Sequence, residues 1–197
     1  MNPLDFTLTA GPTEASARTL AALGAPITYH YDPQFLEAYR ETERKVARIF
    51  RTSGDVMLLQ GEAVLGLEAA ARAVVQPGMH CLNVTSGVFG KGLGDKVRAA
   101  GGNVRELDVA WDDAVDPADV EDALREDPDI RLVSVVHCET PSGTLNPIAE
   151  IGALAKAHDA LVLVDCVSSL GGAPVETDEW GLDLCVAGPQ KLSLIHI

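Results

Sequence analysis

The chain has 197 residues, 47% hydrophobic and 22% charged, which is enough for one sizeable core. Its formal net charge of −14 argues against nucleic acid or an anionic membrane surface as a partner, since both are reached through basic patches. No apolar stretch approaches the roughly 18 residues of a membrane span, and residues 1–10 lack the basic and apolar regions of a secretory leader, so the expectation is a cytoplasmic protein.

Residues 7–14 read as an extended segment that breaks at Gly11-Pro12. Tyr29, His30, Tyr31 and Asp32 precede Pro33, which biases them towards extended backbone. From 35 to 50 the apolar residues Phe35, Leu36, Tyr39, Val46, Ile49 and Phe50 recur at helical spacing with charged residues between them, an amphipathic helix. Residues 56–60 read as a short strand and 62–75 as an alanine-rich helix stopped by Pro77-Gly78. Strand, helix and strand follow at 80–85, after a glycine-punctuated turn, and at 104–109. Asp116-Pro117 supplies an N-cap and first residue for a helix over 117–125. A strand over 132–137, a helix over 148–158 and a strand over 161–165 complete the alternation. That rhythm predicts crossover connections and a mostly parallel α/β sheet with helices on both faces. The four cysteines, Cys81, Cys138, Cys166 and Cys185, lie in or beside predicted strands and none forms a C-x-x-C pair. They read as buried, reduced thiols, with no disulfide frame and no metal site.

The most informative stretch is 161–191. One apolar run ends on Asp165, and a second, 184–187, ends on Gly188-Pro189-Gln190-Lys191. Continuous apolar runs bounded by Gly, Pro and Asp are the pattern of strands buried on both faces. A carboxylate and a lysine are thereby delivered to strand ends, where open α/β sheets bind ligands. A lysine there can condense with an aldehyde, and an aspartate can keep a pyridine nitrogen protonated so that the ring withdraws electrons. Singly, Asp165 reads equally as a turn cap and Lys191 as a surface lysine.

At these residues, with V-S-S-L-G-G between them, the chain resembles the class V, fold-type I pyridoxal-phosphate aminotransferases. Three further stretches, 61–70 (GEAVLGLEAA), 86–94 (SGVFGKGLG) and 140–147 (TPSGTLNP), resemble its pyridoxamine–pyruvate branch more than its alanine–glyoxylate branch. The resemblance implies an aminotransferase that passes an amino group between pyridoxamine and pyruvate, or another 2-oxo acid, giving pyridoxal and alanine through a Lys191 Schiff base. It implies that Asp165 holds the ring nitrogen, that Phe89 and Thr140 fix the ring plane and its 3-oxygen, and that Gln190 meets the ring substituents. Tyr29 and Tyr31 approach the substrate, as does the Gly11-Pro12 stretch. The implied assembly is a homodimer or homotetramer, with the 35–50 helix at the interface, although the same stripe would also suit a helix covering the sheet. Without the resemblance, Phe89 and the tyrosines read as core residues and Thr140 as a turn hydroxyl bonded to its own backbone.

Glu62 bears on the cofactor. Most of the class has a Ser/Thr/Gly-rich phosphate cup at a helix N-terminus here, whereas this chain has Gln60-Gly61-Glu62-Ala63-Val64. A carboxylate repels a phosphate, so free pyridoxal and pyridoxamine are expected as substrates. The alternatives are an alanine–glyoxylate or serine-type enzyme with tightly held pyridoxal 5'-phosphate, or a non-catalytic α/β ligand-binding domain.

The resemblance makes 1–191 part of a large pyridoxal-binding domain preceded by an N-terminal segment. Residues 192–197 do not match the family, and its small C-terminal domain does not follow. The reading is a C-terminally truncated chain that is inactive by itself.

Overall fold

The computed structural model describes residues 9–191. The 192–197 tail and the start of the 7–14 segment lie outside the described residues. Strands β1 (His80–Thr85), β2 (Asn103–Asp108), β3 (Ile130–Val136), β4 (Leu161–Asp165) and β5 (Leu184–Val186) form one parallel sheet in the order β2-β1-β3-β4-β5. Helices α1 (Ala17–Leu23), α2 (Pro33–Ile49), α3 (Ala63–Val74), α4 (Val88–Ala99), α5 (Pro117–Glu126) and α6 (Ile148–Ala157) complete the chain, with a 3-10 turn at Pro189–Lys191.

Alternation along the strands sorts the core into two layers. Leu132, Val136 and Leu163 face α3 and α4, where they pack with Leu67, Ala71, Leu93 and Val97. Val133, Val135, Val162 and Val164 face α5 and α6, where Val120, Leu124, Ile148 and Ile151 close over them. Burial of both faces explains why β4 reads as an apolar run up to Asp165 and β3 as one broken only by Arg131 and the buried Ser134. The expected doubly covered α/β sheet is therefore present.

The helix starts follow their caps. Asp32 accepts the Gln34 N–H at 2.8 Å and Asp116 the Ala118 N–H at 2.9 Å, each with proline as the first helical residue. At α6 the β4–β5 connection comes so close that a Cβ on Gly152 would collide with the Trp180 carbonyl.

Three expectations need correction, and one open alternative falls. Residues 56–60 form no strand, because no described segment offers them a ladder. Strand β5 is half-buried, for it is an edge of the described sheet, covered by α3 on one side. Cys81 and Cys166 are buried, but Cys138 and Cys185 are only partly so. Helix α2 has no buried residue, so its stripe does not cover the sheet. Its end is instead moored to the β4–β5 connection: the Thr52 hydroxyl, Ser53 N–H and Ser53 hydroxyl all donate to Asp178, at 2.6 to 2.8 Å.

Candidate active site

Because β1 has β2 on one side and β3 on the other, the chain changes direction between β1 and β3, and the loops leaving those strands diverge. Every side chain singled out for ring chemistry lies at this end of the sheet. Phe89 follows β1 in the first turn of α4, Thr140 follows β3, Asp165 ends β4 and Lys191 follows β5.

Lys191 is the hub. Its Nζ donates to Thr140 Oγ1 at 3.1 Å and to Ser168 Oγ at 3.4 Å, and sits 4.6 Å from the centre of the Phe89 ring. Thr140 and Ser168 share a 2.5 Å hydrogen bond. Neither bland reading survives for two of these residues. Phe89 is 40% exposed, so it is no core residue, and the Thr140 hydroxyl bonds Ser168 and Lys191 rather than its own turn.

Asp165 is 6% exposed, and one carboxylate oxygen accepts the Val167 N–H at 2.9 Å. Burial raises its pKa, opposed by that N–H and by the Lys191 charge. The turn-cap reading is thus right for one oxygen, while the group as a whole is a buried acid whose ionised form wants a cation.

Glu139, which sequence reasoning passed over, is wholly buried between the two diverging loops. Helix α4 begins at Gly87, which has no side chain to cap it. Glu139 supplies the cap from β3, accepting the Gly90 N–H at 2.5 Å and the Phe89 N–H at 3.3 Å. A Cβ on Gly87 would lie 2.5 Å from the Glu139 carboxyl carbon, so only glycine leaves room for the carboxylate. The signal in the sequence was an acidic residue at a strand end beside Thr140, but its partner 49 residues away is set by the strand order.

His137, two residues before Glu139, is also buried, and burial lowers its pKa to about 4. Below α4, the Asn83 amide donates to Thr85 Oγ1, to the Gly90 carbonyl and to Glu106, while Ser134 donates to Asn83. This buried polar net fixes the helix that carries Phe89.

The remaining expected residues fall as follows. The Gly11 stretch does reach the lysine: a Cβ on Gly11 would lie 2.7 Å from Lys191 Cγ, and Thr13 donates its N–H to the Gln190 carbonyl at 2.7 Å. The Gln190 side chain folds over Gly188, which also abuts Ala63 at the start of α3. That contact brings the α3 N-terminus beside the lysine turn. Glu62 is the N-cap residue of α3 but makes no side-chain capping bond and is exposed. Its carboxylate therefore makes no hydrogen bond to its own helix. Tyr29 and Tyr31 are 65% and 68% exposed, which removes the core-packing reading; they contact His30 and each other.

The donor set fits a pyridoxal-type ring: an amine for its aldehyde, an aromatic face, a hydroxyl and a buried acid for its nitrogen. The family model described as "Aminotransferase class-V" matches residues 15–193. Among similar proteins, pyridoxamine–pyruvate transaminase of Mesorhizobium japonicum is 44% identical over 94% of this chain and 47% of its own length. The (S)-ureidoglycine–glyoxylate transaminase of Bacillus subtilis is 33% identical over 96% of this chain and 45% of its own. The crystal structure of pyridoxamine–pyruvate aminotransferase from Mesorhizobium loti superposes with a TM-score of 0.90 at 43% identity, covering 96% of this chain and 48% of that one. The chain spans about half the length of the curated relatives it matches. With the family model matching almost the whole chain and the fold matching that of a solved relative, this chain belongs to the class-V aminotransferases.

Proposed function

We propose that the full-length protein is an aminotransferase that exchanges an amino group between pyridoxamine and pyruvate, giving pyridoxal and alanine. The observation that carries the reading is the convergence of Lys191, Thr140, Phe89 and Asp165 on one end of the sheet, with the Glu62 end of α3 beside the lysine turn.

A bound pyridoxal supplies an aldehyde and an electron-withdrawing ring. Lys191 offers the amine that joins it, and the same nitrogen moves the proton between substrate carbon atoms. Asp165 pairs with the ring nitrogen and keeps its proton in place, a cation that would also relieve the cost of burying the carboxylate. Phe89 lies against the ring face, Thr140 donates to the ring's 3-oxygen, and Gln190 lies beside the ring substituents. Tyr29 and Tyr31 belong to the approach taken by the 2-oxo acid. In a full-length enzyme Lys191→Ala should abolish turnover with the fold intact; turnover within tenfold of wild type would remove Lys191 from this role.

The choice of vitamer rests on Glu62. A phosphate about 4 Å from this carboxylate would meet a repulsion of roughly 1 kcal/mol per charge through water and about 4 kcal/mol at an effective dielectric near 20. The helix dipole returns about 1 kcal/mol at most. Because Glu62 is exposed, the two terms are about equal in the open site, and repulsion wins once a bound ring excludes water; free pyridoxal is the preferred ligand on that ground. The same helix end favours a second reading: α3 has no side-chain cap, and unclaimed N–H groups suit the phosphate of pyridoxal 5'-phosphate. Competitive titration of the full-length protein separates the two. Tighter binding of the free vitamer, reversed towards the phosphate by Glu62→Ser, is expected; tighter binding of pyridoxal phosphate that Glu62→Ser leaves unchanged would favour an alanine–glyoxylate type of enzyme.

The assembly belongs to the same proposal. The exposed apolar stripe of α2 suits a homodimer, or a homotetramer built from one.

A further inference from the structure

Ser168 lies in the V-S-S-L-G-G turn, three residues after Asp165, and nothing in the ring chemistry above employs it. Yet its hydroxyl is one corner of a triangle with Thr140 and Lys191, with sides of 2.5, 3.1 and 3.4 Å. Each hydroxyl has one proton and two lone pairs, and the ammonium has three protons and no lone pair. Lys191 therefore donates to both oxygens, and only one hydroxyl proton is needed for the bond between them. The hydroxyl that accepts from both neighbours has both lone pairs filled. It can act towards anything else only as a donor.

We propose that Ser168 is a positioning residue: it donates to Thr140, so that the Thr140 proton is not spent on Ser168 and stays free for the ring oxygen of a pyridoxal-type ligand, also once Lys191 has joined the aldehyde. This rests on the reading of the site as a pyridoxal site, but not on the choice of vitamer, because the 3-oxygen is common to both. Without Ser168, Thr140 keeps a free lone pair and can turn away from the ring. The two residues come from the ends of adjacent strands, β3 and β4, so the pairing is a product of the sheet order.

The test uses the full-length protein, with Ser168→Ala, Thr140→Val and the double variant, titrated by absorbance and calorimetry with four probes. These are pyridoxal, pyridoxal phosphate and the 3-deoxy form of each, which lacks the ring hydroxyl. Losing one hydrogen bond is expected to weaken the hydroxylated rings by roughly three- to tenfold in Ser168→Ala, with less than a twofold change for the 3-deoxy rings. The double variant should be no weaker than Thr140→Val alone. An equal loss for both kinds of ring would make Ser168 merely structural, and a larger loss in Ser168→Ala than in Thr140→Val would make Ser168 the direct contact; either result overturns the proposal, as does an unchanged affinity. If wild type prefers the phosphate, the vitamer reading fails while the phosphate pair of probes still judges Ser168. If wild type takes no probe at all, both readings fall.

Discussion

Asp165 and His137 are buried ionisable groups on neighbouring strand ends, and burial pushes their pKa values in opposite directions, up for the acid and down to about 4 for the imidazole. For Asp165 the folded state holds its proton more tightly than the unfolded state, so stability is greatest below the unfolded pKa and falls as pH rises through the folded value. Asp165→Asn should therefore raise the melting temperature of the ligand-free protein at neutral pH, with no gain below about pH 4. The same change should lower turnover on the order of a hundredfold or more, since a neutral amide cannot balance a ring cation. A variant less stable than wild type at pH 7 and equally active would show that Asp165 is a structural cap. For His137 the sign is reversed: its contribution is complete above the unfolded value near 6.5 and is lost as pH falls towards about 4, roughly 3 kcal/mol in all. His137→Gln should flatten the acid limb of a urea-unfolding profile by about one proton, or about 1.4 kcal/mol per pH unit. An unchanged slope would mean that another group sets the acid limit.

Among the elements, α4 shows what the sequence reveals and what it withholds. Its start after a glycine-punctuated turn was legible, as were the strands β1, β3 and β4, the last two because burial on two faces leaves largely apolar runs that need no partner to be recognised. Phe89 and Thr140 were legible through motif order, and Lys191 with Asp165 through strand-end chemistry. The capping carboxylate was not, because Glu139 caps a helix on another βα unit, and neither was Ser168, whose partners come from β3 and β5. Short α1 escaped for want of a buried face, and 56–60 was misread because an apolar run without a ladder looks like any other. Glu139→Gln keeps the shape but turns a donor towards one of two backbone N–H groups, which should cost roughly 1–3 kcal/mol. Hydrogen exchange should then quicken at the Phe89 and Gly90 amides while β1 stays protected. Uniform loss of protection across β1 and α4 would instead mean that Glu139 supports the whole layer.

At the scale of the molecule, the described apolar surface is unevenly spread. Leu20, Leu23, Ile27, Leu36, Tyr39 and Ile49 are all exposed, and all lie on or between α1 and α2. Apolar exposure of this kind fits the homodimer interface proposed above, since none of these residues is part of the buried core of the sheet. In the full-length protein Tyr39→Glu with Ile49→Asp should shift a dimer towards monomer in light scattering and leave far-UV circular dichroism unchanged. Retention of the wild-type mass would exclude α2 from the interface.

The hydrogen bond from Thr13 to the Gln190 carbonyl joins residues 177 positions apart. Closing so long a loop costs about 2 kcal/mol more than closing one of roughly 20 residues, and it cannot begin until the lysine turn has left the ribosome. During synthesis the strands β1 to β4 can pair while the first residues still wait for their partner. The amine-bearing turn is thus finished after the strands that support it, so a nascent protein has a scaffold before it has a reactive centre.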